Sequence, residues 1–198
     1  MRKLPAAMEN PLDNVLIDLA DAMTPWLKRA GQTPNMLTGY SAASGAGALW
    51  FLWHDALPAF SALWVMRLFW DTADGHFARA YGMETKLGDA LDHATDTLYT
   101  LGLLGIVWKK YVVPPWIAIT YVALLGVLAV HLGCQQRFVR GRARATESID
   151  GLRAVCGSTT WMPVTRWLSH GTLHAFIIAS VWYMDSHCRR ESPAPLAL

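Results

Sequence analysis

The residues with the clearest chemical potential are four aspartates that occur as two pairs, Asp71 with Asp74 and Asp92 with Asp96. The members of each pair are three or four residues apart, so both carboxylates of a pair lie on one face of a helix. Long apolar runs flank the segment on both sides, and charged side chains inside a membrane are costly and usually functional. Carboxylates that face one another there need cations between them, and oxygen ligands favour Mg²⁺ or Mn²⁺. The pattern predicts a metal site inside a membrane enzyme.

The helices that carry these pairs are expected to bring them to one depth. Asp71 lies fourteen residues after Leu57, near the outer end of its apolar run, and Asp96 lies twelve residues before Trp108 at the end of the next. At about 1.5 Å per residue these lengths are roughly 21 Å and roughly 18 Å. In an antiparallel helix pair Asp71 is therefore level with Asp96, and Asp74 lies beside Asp92. A polar hairpin in water would explain neither the matched depths nor the one-sided spacing.

The composition indicates an all-α polytopic membrane protein. The 198 residues are 53% hydrophobic and 16% charged, whereas about a quarter of a soluble domain is charged. Several tryptophans lie near the ends of apolar runs, as in an interfacial aromatic belt. The net charge of +2 is too small to indicate nucleic acid as a partner. The three cysteines are an odd number without metal-ligand spacing, and they are expected to be unpaired thiols.

About six transmembrane helices are predicted, preceded by an amphipathic helix at the interface. Residues 13–30 have an apolar stripe but are too polar to span, which is typical of an interfacial helix; a soluble helix packed on the domain is the alternative. Arg153, Pro163 and Arg166 interrupt the fifth span, which is therefore weaker. The spans are 35–53, 56–70 continuing into the aspartate segment, 88–108, 114–133, 151–167 and 170–184.

These spans divide the chain into three parts and give it an orientation. Residues 1–34 form a cytoplasmic N-terminal segment, 35–187 the transmembrane domain and 188–198 a C-terminal tail. Lys109 and Lys110 lie in an outer loop, and most other basic residues lie in segments predicted to be inside. The active site is therefore expected near the cytoplasmic face. The inner basic residues are Lys28, Arg29, Arg79, Lys86, Arg137, Arg140, Arg142, Arg144, Arg189 and Arg190.

The aspartates belong to a longer pattern that resembles a known family. The signature of the CDP-alcohol phosphotransferases is D-x2-D-G-x2-A-R-x8-G-x3-D-x3-D, and the chain fills it without departure. Thr33, Pro34 and Asn35, before the first span, also look like family members. The residues that fill the signature are Asp71, Asp74, Gly75, Ala78, Arg79, Gly88, Asp92 and Asp96.

The resemblance implies a phospholipid-synthesising transferase with two divalent ions, Mg²⁺ or Mn²⁺. Asp71, Asp74 and Asp92 look like metal ligands, and Asp96 looks like the general base that also touches a metal. The compact chain resembles phosphatidyltransferases that move a phosphatidyl group from CDP-diacylglycerol to a small polar alcohol and release CMP. Asp92–Asp96 reads D-H-A-T-D, which is similar to the D-H-G-x-D of choline and ethanolamine phosphotransferases, whose lipid diacylglycerol is the acceptor. A homodimer is expected only from the resemblance.

Small residues of the signature indicate where a nucleotide would lie. Gly75, Ala78 and Gly88 have little or no side chain, so a cytidine nucleotide can approach the helix backbones. Close helix packing is the structural alternative for such residues. Arg79 is a candidate partner for a phosphate or a motif aspartate, and Thr85 is a further candidate contact with cytidine.

Arginines after the fourth span have two interpretations. The run of Arg137, Arg140, Arg142 and Arg144 is typical of a topology anchor beside anionic lipid headgroups. Alternatively, Arg137 or Arg140 lines a pocket for a phosphate-bearing acceptor. The sequence leaves both open.

Two functions of other classes compete with the enzyme. Intramembrane acids also build ion pathways, so a cation or proton transporter is one alternative. A transporter predicts acids spread along a path, whereas these form one cluster near one face. A structural lipid-binding protein is another, and it would have no need of Asp96.

Overall fold

The computed structural model describes residues 2–139 and 149–190, and this part of the chain is all-α, as predicted. Six of its helices are at least 18 residues long and the seventh is a single turn. The helices are α1 (Pro11–Arg29), α2 (Pro34–Trp53), α3 (Leu57–Tyr81), α4 (Lys86–Lys110), α5 (Pro115–Phe138), α6 (Met162–Thr165) and α7 (His170–His187).

Polar caps and one glycine define the ends of the helices that surround the aspartates. The side chains of Asn10, Thr33 and Thr85 accept hydrogen bonds from the first turns of α1, α2 and α4. Gly82 ends α3 with φ at +63°, a left-handed conformation that glycine adopts without strain. The turn between α3 and α4 is therefore short, and both helices pack against α2.

The main core lies among α2, α3, α4 and α7. Phe60 and Trp64 of α3 are almost fully buried, and they cluster with Leu52 of α2, Leu103 of α4 and Val181 of α7. Burial of such large side chains is the dominant favourable contribution to helix packing. The core fixes α3 relative to its neighbours about two to three turns before the first aspartate pair.

The predicted amphipathic helix is present as α1. It packs on α3 by its buried face, where Ala20 and Leu27 cluster with Phe77. Its other face exposes apolar side chains, including Val15 at 65% and Trp26 at 64%. The helix therefore has one face for the bundle and a second, exposed face that is also partly apolar.

Only one helix in the described residues, α5, is both long and apolar enough to be a candidate membrane span by length and composition. Helices α2, α3, α4 and α7 coincide with four further predicted spans and are 18 to 25 residues long.

The fifth predicted span, 151–167, is wrong as a continuous helix. The stretch folds into 3₁₀ turns (Asp150–Val155, Thr159–Trp161 and Arg166–Leu168) around the four-residue α6. Its backbone lies directly on α5, because a Cβ on Gly133 would be 2.1 Å from the Leu152 carbonyl oxygen. Arg137 donates to the Cys156 and Gly157 carbonyls, so these groups have partners outside any helix. The segment therefore packs as a series of short turns against the C-terminal end of α5.

The prediction of unpaired thiols is wrong for two of the three cysteines. Cys134 on α5 and Cys156 form a disulfide, and Cys188 is free. The absence of a side chain at Gly133 lets the segment around Leu152 approach α5 and brings Cys156 next to Cys134. That close approach is a tertiary feature, and cysteine number and spacing carried no signal for it.

The loss of one span also corrects the predicted position of Arg189 and Arg190. The main-chain N–H of Arg190 donates to the Lys110 carbonyl at 2.9 Å, and Arg189 pairs with Asp55 at 2.9 Å. Helix α7 therefore ends beside the α2–α3 turn and the end of α4, away from the aspartates. The predicted position at the motif end depended on an even number of crossings.

Candidate active site

A cavity of about 460 Å³ lies where the motif halves of α3 and α4 meet α1, α2 and α5. Three of the four aspartates line it, and all five predicted nucleotide-binding residues do so too. The signature residues on its wall are Asp71, Asp74, Gly75, Ala78, Arg79, Gly88 and Asp92, together with Thr85.

Aspartates from both motif helices face the same cavity. Asp71 and Asp74 on α3 and Asp92 on α4 all line it. Asp92 Oδ1 is buried and has no hydrogen-bond partner.

Asp74 is oriented by α2. Thr38 Oγ1 donates a hydrogen bond of 2.5 Å to Asp74 Oδ2. Thr38 lies one turn into α2, after the Thr33 cap and after Asn35, which also lines the cavity. The Thr33-Pro34-Asn35 segment therefore starts the helix that positions one motif carboxylate.

Asp96 has a different environment from the other three aspartates. It is not among the residues that line the cavity; instead, Arg67 Nη2 donates to its Oδ1. Arg67 is only 3% exposed, and its guanidinium lies 5.3 Å from the ring centroids of both Trp64 and Tyr99. Gly45 makes room for it, since a Cβ there would be 3.0 Å from Arg67 Cδ. Trp64, Tyr99 and Gly45 thus form a pocket that holds the Arg67 guanidinium against Asp96.

Sequence reasoning did not assign Arg67 to the site. The available signal was a lone charge in an otherwise apolar run, one turn before Asp71. A buried charge needs a partner, and the four acids one turn away are the nearest source of one.

The small residues of the signature have specific neighbours. A Cβ on Gly75 would be 3.0 Å from Arg79 Nη1, so the Arg79 guanidinium folds back over Gly75 on the cavity wall. A Cβ on Gly88 would be 3.0 Å from Thr85 Oγ1. That oxygen accepts from the Gly88 N–H at 3.0 Å, so Thr85 caps α4 at the cavity edge.

The N-terminal segment adds positive charge to the same cavity. Arg2 and Lys3 line it together with Arg79 and Lys86. Burial, with the neighbouring Arg79 charge, lowers the pKa of the Lys3 ammonium to about 8. This contribution was missed, because two basic residues at an N-terminus have no periodic relation to the motif.

One arginine predicted for the acceptor pocket has a different position. Arg137 donates to the carbonyls of Cys156 and Gly157 and is not part of the cavity lining. Arg140 lies outside the described residues, as do Arg142 and Arg144.

Carboxylate oxygens are suitable ligands for a divalent cation, although these carboxylates are not arranged around a single position. In residues 2–139 and 149–190, no three His, Cys, Asp or Glu side chains are arranged as they stand to hold a metal ion. Asp71, Asp74 and Asp92 nevertheless line one cavity, and the buried Asp92 Oδ1 lacks a partner. Oxygen donors of this kind fit Mg²⁺ or Mn²⁺.

The cavity thus combines carboxylates, small residues and basic side chains on one all-helical bundle. A sequence profile described as CDP-alcohol phosphatidyltransferase matches residues 31–184, and the chain belongs to this family. A curated protein from Streptomyces coelicolor, "Cardiolipin synthase (CMP-forming)", is 35% identical over 114 residues. The match covers 52% of this chain and 51% of that protein, so the chain spans about half the length of the relative. No solved structure matches the chain.

Proposed function

We propose that the protein transfers a phosphatidyl group from CDP-diacylglycerol to a small polar alcohol, with release of CMP. The observation that carries this proposal is the single cavity where motif carboxylates, small residues and basic side chains meet. Family membership supports the reaction class, and the similarity to a CMP-forming synthase supports CMP as the leaving group.

The donor's cytidine diphosphate occupies the main cavity. Gly75, Ala78 and Gly88 leave the wall shallow enough for the nucleotide to lie against the helices. Arg79 and Lys3 supply positive charge for the pyrophosphate. The diacylglycerol chains then extend from the cavity into the bilayer.

Asp71, Asp74 and Asp92 would hold two divalent ions, Mg²⁺ or Mn²⁺, with Asp96 as a further contact. Bound cations would polarise the phosphoryl oxygens and balance the negative charge of the departing CMP. Thr38 fixes the orientation of Asp74 by its hydrogen bond. The unpartnered Oδ1 of Asp92 is an oxygen available for such a contact.

Asp96 is the general base. It takes the proton from the acceptor hydroxyl, whose oxygen attacks the β-phosphorus, and the bond from that phosphorus to the CMP oxygen breaks. Arg67 is a positioning residue, because its hydrogen bond to Oδ1 leaves Oδ2 to receive the proton.

The protein lies in the bilayer with the cavity near the cytoplasmic face. Exposed apolar side chains on the outer surface of α5, such as Ile119 at 69% and Val122 at 67%, suit contact with lipid. Helices α2, α3, α4, α5 and α7 would cross, while α1 lies at the interface. Basic residues still favour the motif end as the inner one, although Arg189 and Arg190 join Lys109 and Lys110 at the other end. We also propose a homodimer, as in the family.

The experiment is CMP release by detergent-purified protein supplied with CDP-diacylglycerol, Mn²⁺ or Mg²⁺ and a panel of alcohols. We expect alcohol-dependent CMP release that a chelator abolishes, and a phosphatidyl product. CDP-choline with diacylglycerol is the matched alternative pair, and turnover with that pair alone would assign the choline or ethanolamine type. No CMP from any pair, with cation flux in proteoliposomes, would assign the transporter.

A further inference from the structure

A second, smaller cavity of about 170 Å³ opens beside the main one. The two share part of their lining, so the smaller cavity is a side chamber of the larger one. Thr72 is at the junction, next in the chain to Asp71. We name this space the side cavity. The shared residues are Glu9, Ile17, Thr72, Leu132 and Gln135.

Two buried side chains on α5 present unused hydrogen-bonding groups to the side cavity. His131 is 3% exposed, and its Nδ1 lies 2.9 Å from Thr165 Oγ1. That hydroxyl already donates to the Trp161 carbonyl, so Nδ1 carries the proton and Nε2 is an acceptor. No described residue hydrogen-bonds this Nε2 or the amide of Gln135, which is 9% exposed. Both side chains line the side cavity, so these groups are available to a ligand there.

A series of hydrogen-bonded side chains leads from Trp64 through two histidines to Asp13, which lines the side cavity as an acceptor. Trp64 Nε1 donates to His174 Nδ1 at 3.2 Å, and the Nε2 atoms of His174 and His170 are 3.2 Å apart. His174 Nε2 is therefore the donor, and His170 Nδ1 faces Asp13 Oδ1 at 3.4 Å. The series fixes Asp13 at the edge of the side cavity, where its carboxylate accepts hydrogen bonds.

The two cavities differ in charge. Arg2, Lys3, Arg79 and Lys86 line the main cavity, whereas no Lys or Arg among the described residues lines the side cavity. Phosphate groups therefore suit the main cavity, and uncharged hydroxyl donors suit the side cavity, which offers carboxylate, imidazole and amide acceptors. Its volume corresponds to roughly six water molecules at about 30 Å³ each, the size of a small polyol.

We propose that the side cavity binds the adjacent hydroxyl groups of an uncharged polyol, which is the headgroup part of the acceptor. One hydroxyl donates to His131 Nε2, a second contacts the Gln135 amide, and the nucleophilic hydroxyl lies at the Thr72 junction. Asp71, which lines the main cavity, directly precedes Thr72 on α3. This inference rests on the proposed function, because it names the substrate class for that reaction.

The test separates acceptor binding from donor binding. The acceptor KM is measured at saturating CDP-diacylglycerol, and the donor KM at saturating acceptor. The probes are free glycerol, myo-inositol, glycerol 3-phosphate, phosphatidylglycerol in mixed micelles, serine and ethanolamine. Free glycerol and phosphatidylglycerol present the same hydroxyl groups, one as a small molecule and the other as a lipid headgroup. Comparing them shows whether the acceptor is a free polyol or a lipid.

The variants are His131→Asn, His131→Gln and Gln135→Leu. Asn places its amide near the Nδ1 position and keeps the Thr165 contact, while Gln reaches the Nε2 position. We expect His131→Asn, which changes the side cavity alone, to raise the acceptor KM about ten-fold with little change in the donor KM. Gln135→Leu changes a residue of both cavities and should raise the acceptor KM by a larger factor than the donor KM. His131→Gln should restore most of the loss. His187→Ala, an exposed histidine of α7 that lines neither cavity, should match the parent.

The outcomes are distinguishable. If the parent releases CMP with no probe and no other alcohol, the proposed function itself fails. If it is active with serine or ethanolamine but with no polyol, the function stands and the side-cavity inference is wrong. An unchanged acceptor KM in His131→Asn and Gln135→Leu, or equal changes in donor and acceptor KM, would also overturn the inference.

Discussion

Replacement of Asp96 by Asn tests whether this carboxylate does chemistry rather than binding. Asn keeps the shape and retains a carbonyl oxygen that can accept from Arg67, but it cannot take a proton at neutral pH. Because Asp96 lies outside the lining of the main cavity, donor binding should survive the change. Loss of a general base typically costs about 10²–10⁴-fold in rate, or roughly 2.7–5.5 kcal/mol of activation free energy.

Two measurements on Asp96→Asn and the parent are needed. The affinity for CDP-diacylglycerol in detergent is measured by calorimetry, and the chemical step by single-turnover CMP release. Asp89→Asn is the matched control, since it makes the same substitution two turns earlier on α4, on the cavity wall but outside the signature. We expect Asp89→Asn to turn over within about ten-fold of the parent, and Asp96→Asn to lose at least about 10²-fold.

Two results would refute the assignment. Turnover of Asp96→Asn within a few-fold of the parent would show that Asp96 is not the base. Collapse of donor affinity together with turnover would show that Asp96 mainly holds a metal ion, so the proton would have to go to another group.

Two further predictions concern charge and covalent structure. The pKa of Lys3 is lowered to about 8, so its ammonium is protonated at pH 7 and loses its charge above about pH 8. The donor KM of the parent should therefore rise between pH 7 and 9.5. The same rise in Lys3→Met would contradict a phosphate contact. Reduction of Cys134–Cys156, which closes a loop with a sequence separation of 22, should lower the free energy of unfolding by ~3 kcal/mol. Thermal unfolding with and without reductant measures this, and Cys156→Ser should remove the response; an equal response in both proteins would assign the effect to another group.

The aspartate cluster was predictable because its geometry is local. Two spacings on two helices joined by a short turn determine which carboxylates share a depth, and a helical rise is constant. It accounts for Asp71, Asp74 and Asp92 lining one cavity, whereas the pairing of Asp71 with Asp96 stays a prediction. The small residues between them followed, because they lie on the same helices within a few turns.

The fifth span and the cysteine pairing were not predictable by the same means. Hydropathy reports composition, so it could not register that Gly133 would let the Leu152 backbone lie against α5. Once that approach exists, an intrachain disulfide and a run of short turns replace a crossing helix. These are tertiary contacts between residues about twenty positions apart, and no periodicity encodes them.

The disulfide also bears on the orientation of the protein. Cys134 is adjacent to Gln135, which lines both cavities, so the disulfide is at the motif end. Cytosolic thiols are normally kept reduced, whereas basic residues favour this end as the cytoplasmic one. In a protein with a cytoplasmic active site, Cys134 and Cys156 would be reduced in the cell. The lower free energy of unfolding expected on reduction would then be that of the working protein.

Helix α3 explains why one short segment carries most of the specificity. Arg67, Asp71 and Thr72 lie within two turns, yet they face the base, the main cavity and the junction with the side cavity respectively. Asp71 and Thr72 are successive residues separated by about 100° around the helix, which is why Thr72 reaches the side cavity and Asp71 does not. In the proposed mechanism, donor recognition depends on the α3–α4 face, while the acceptor contacts come from His131 and Gln135 on α5. We therefore expect changes at His131, which does not line the main cavity, to alter the alcohol that is used without disturbing the carboxylates that act on the donor.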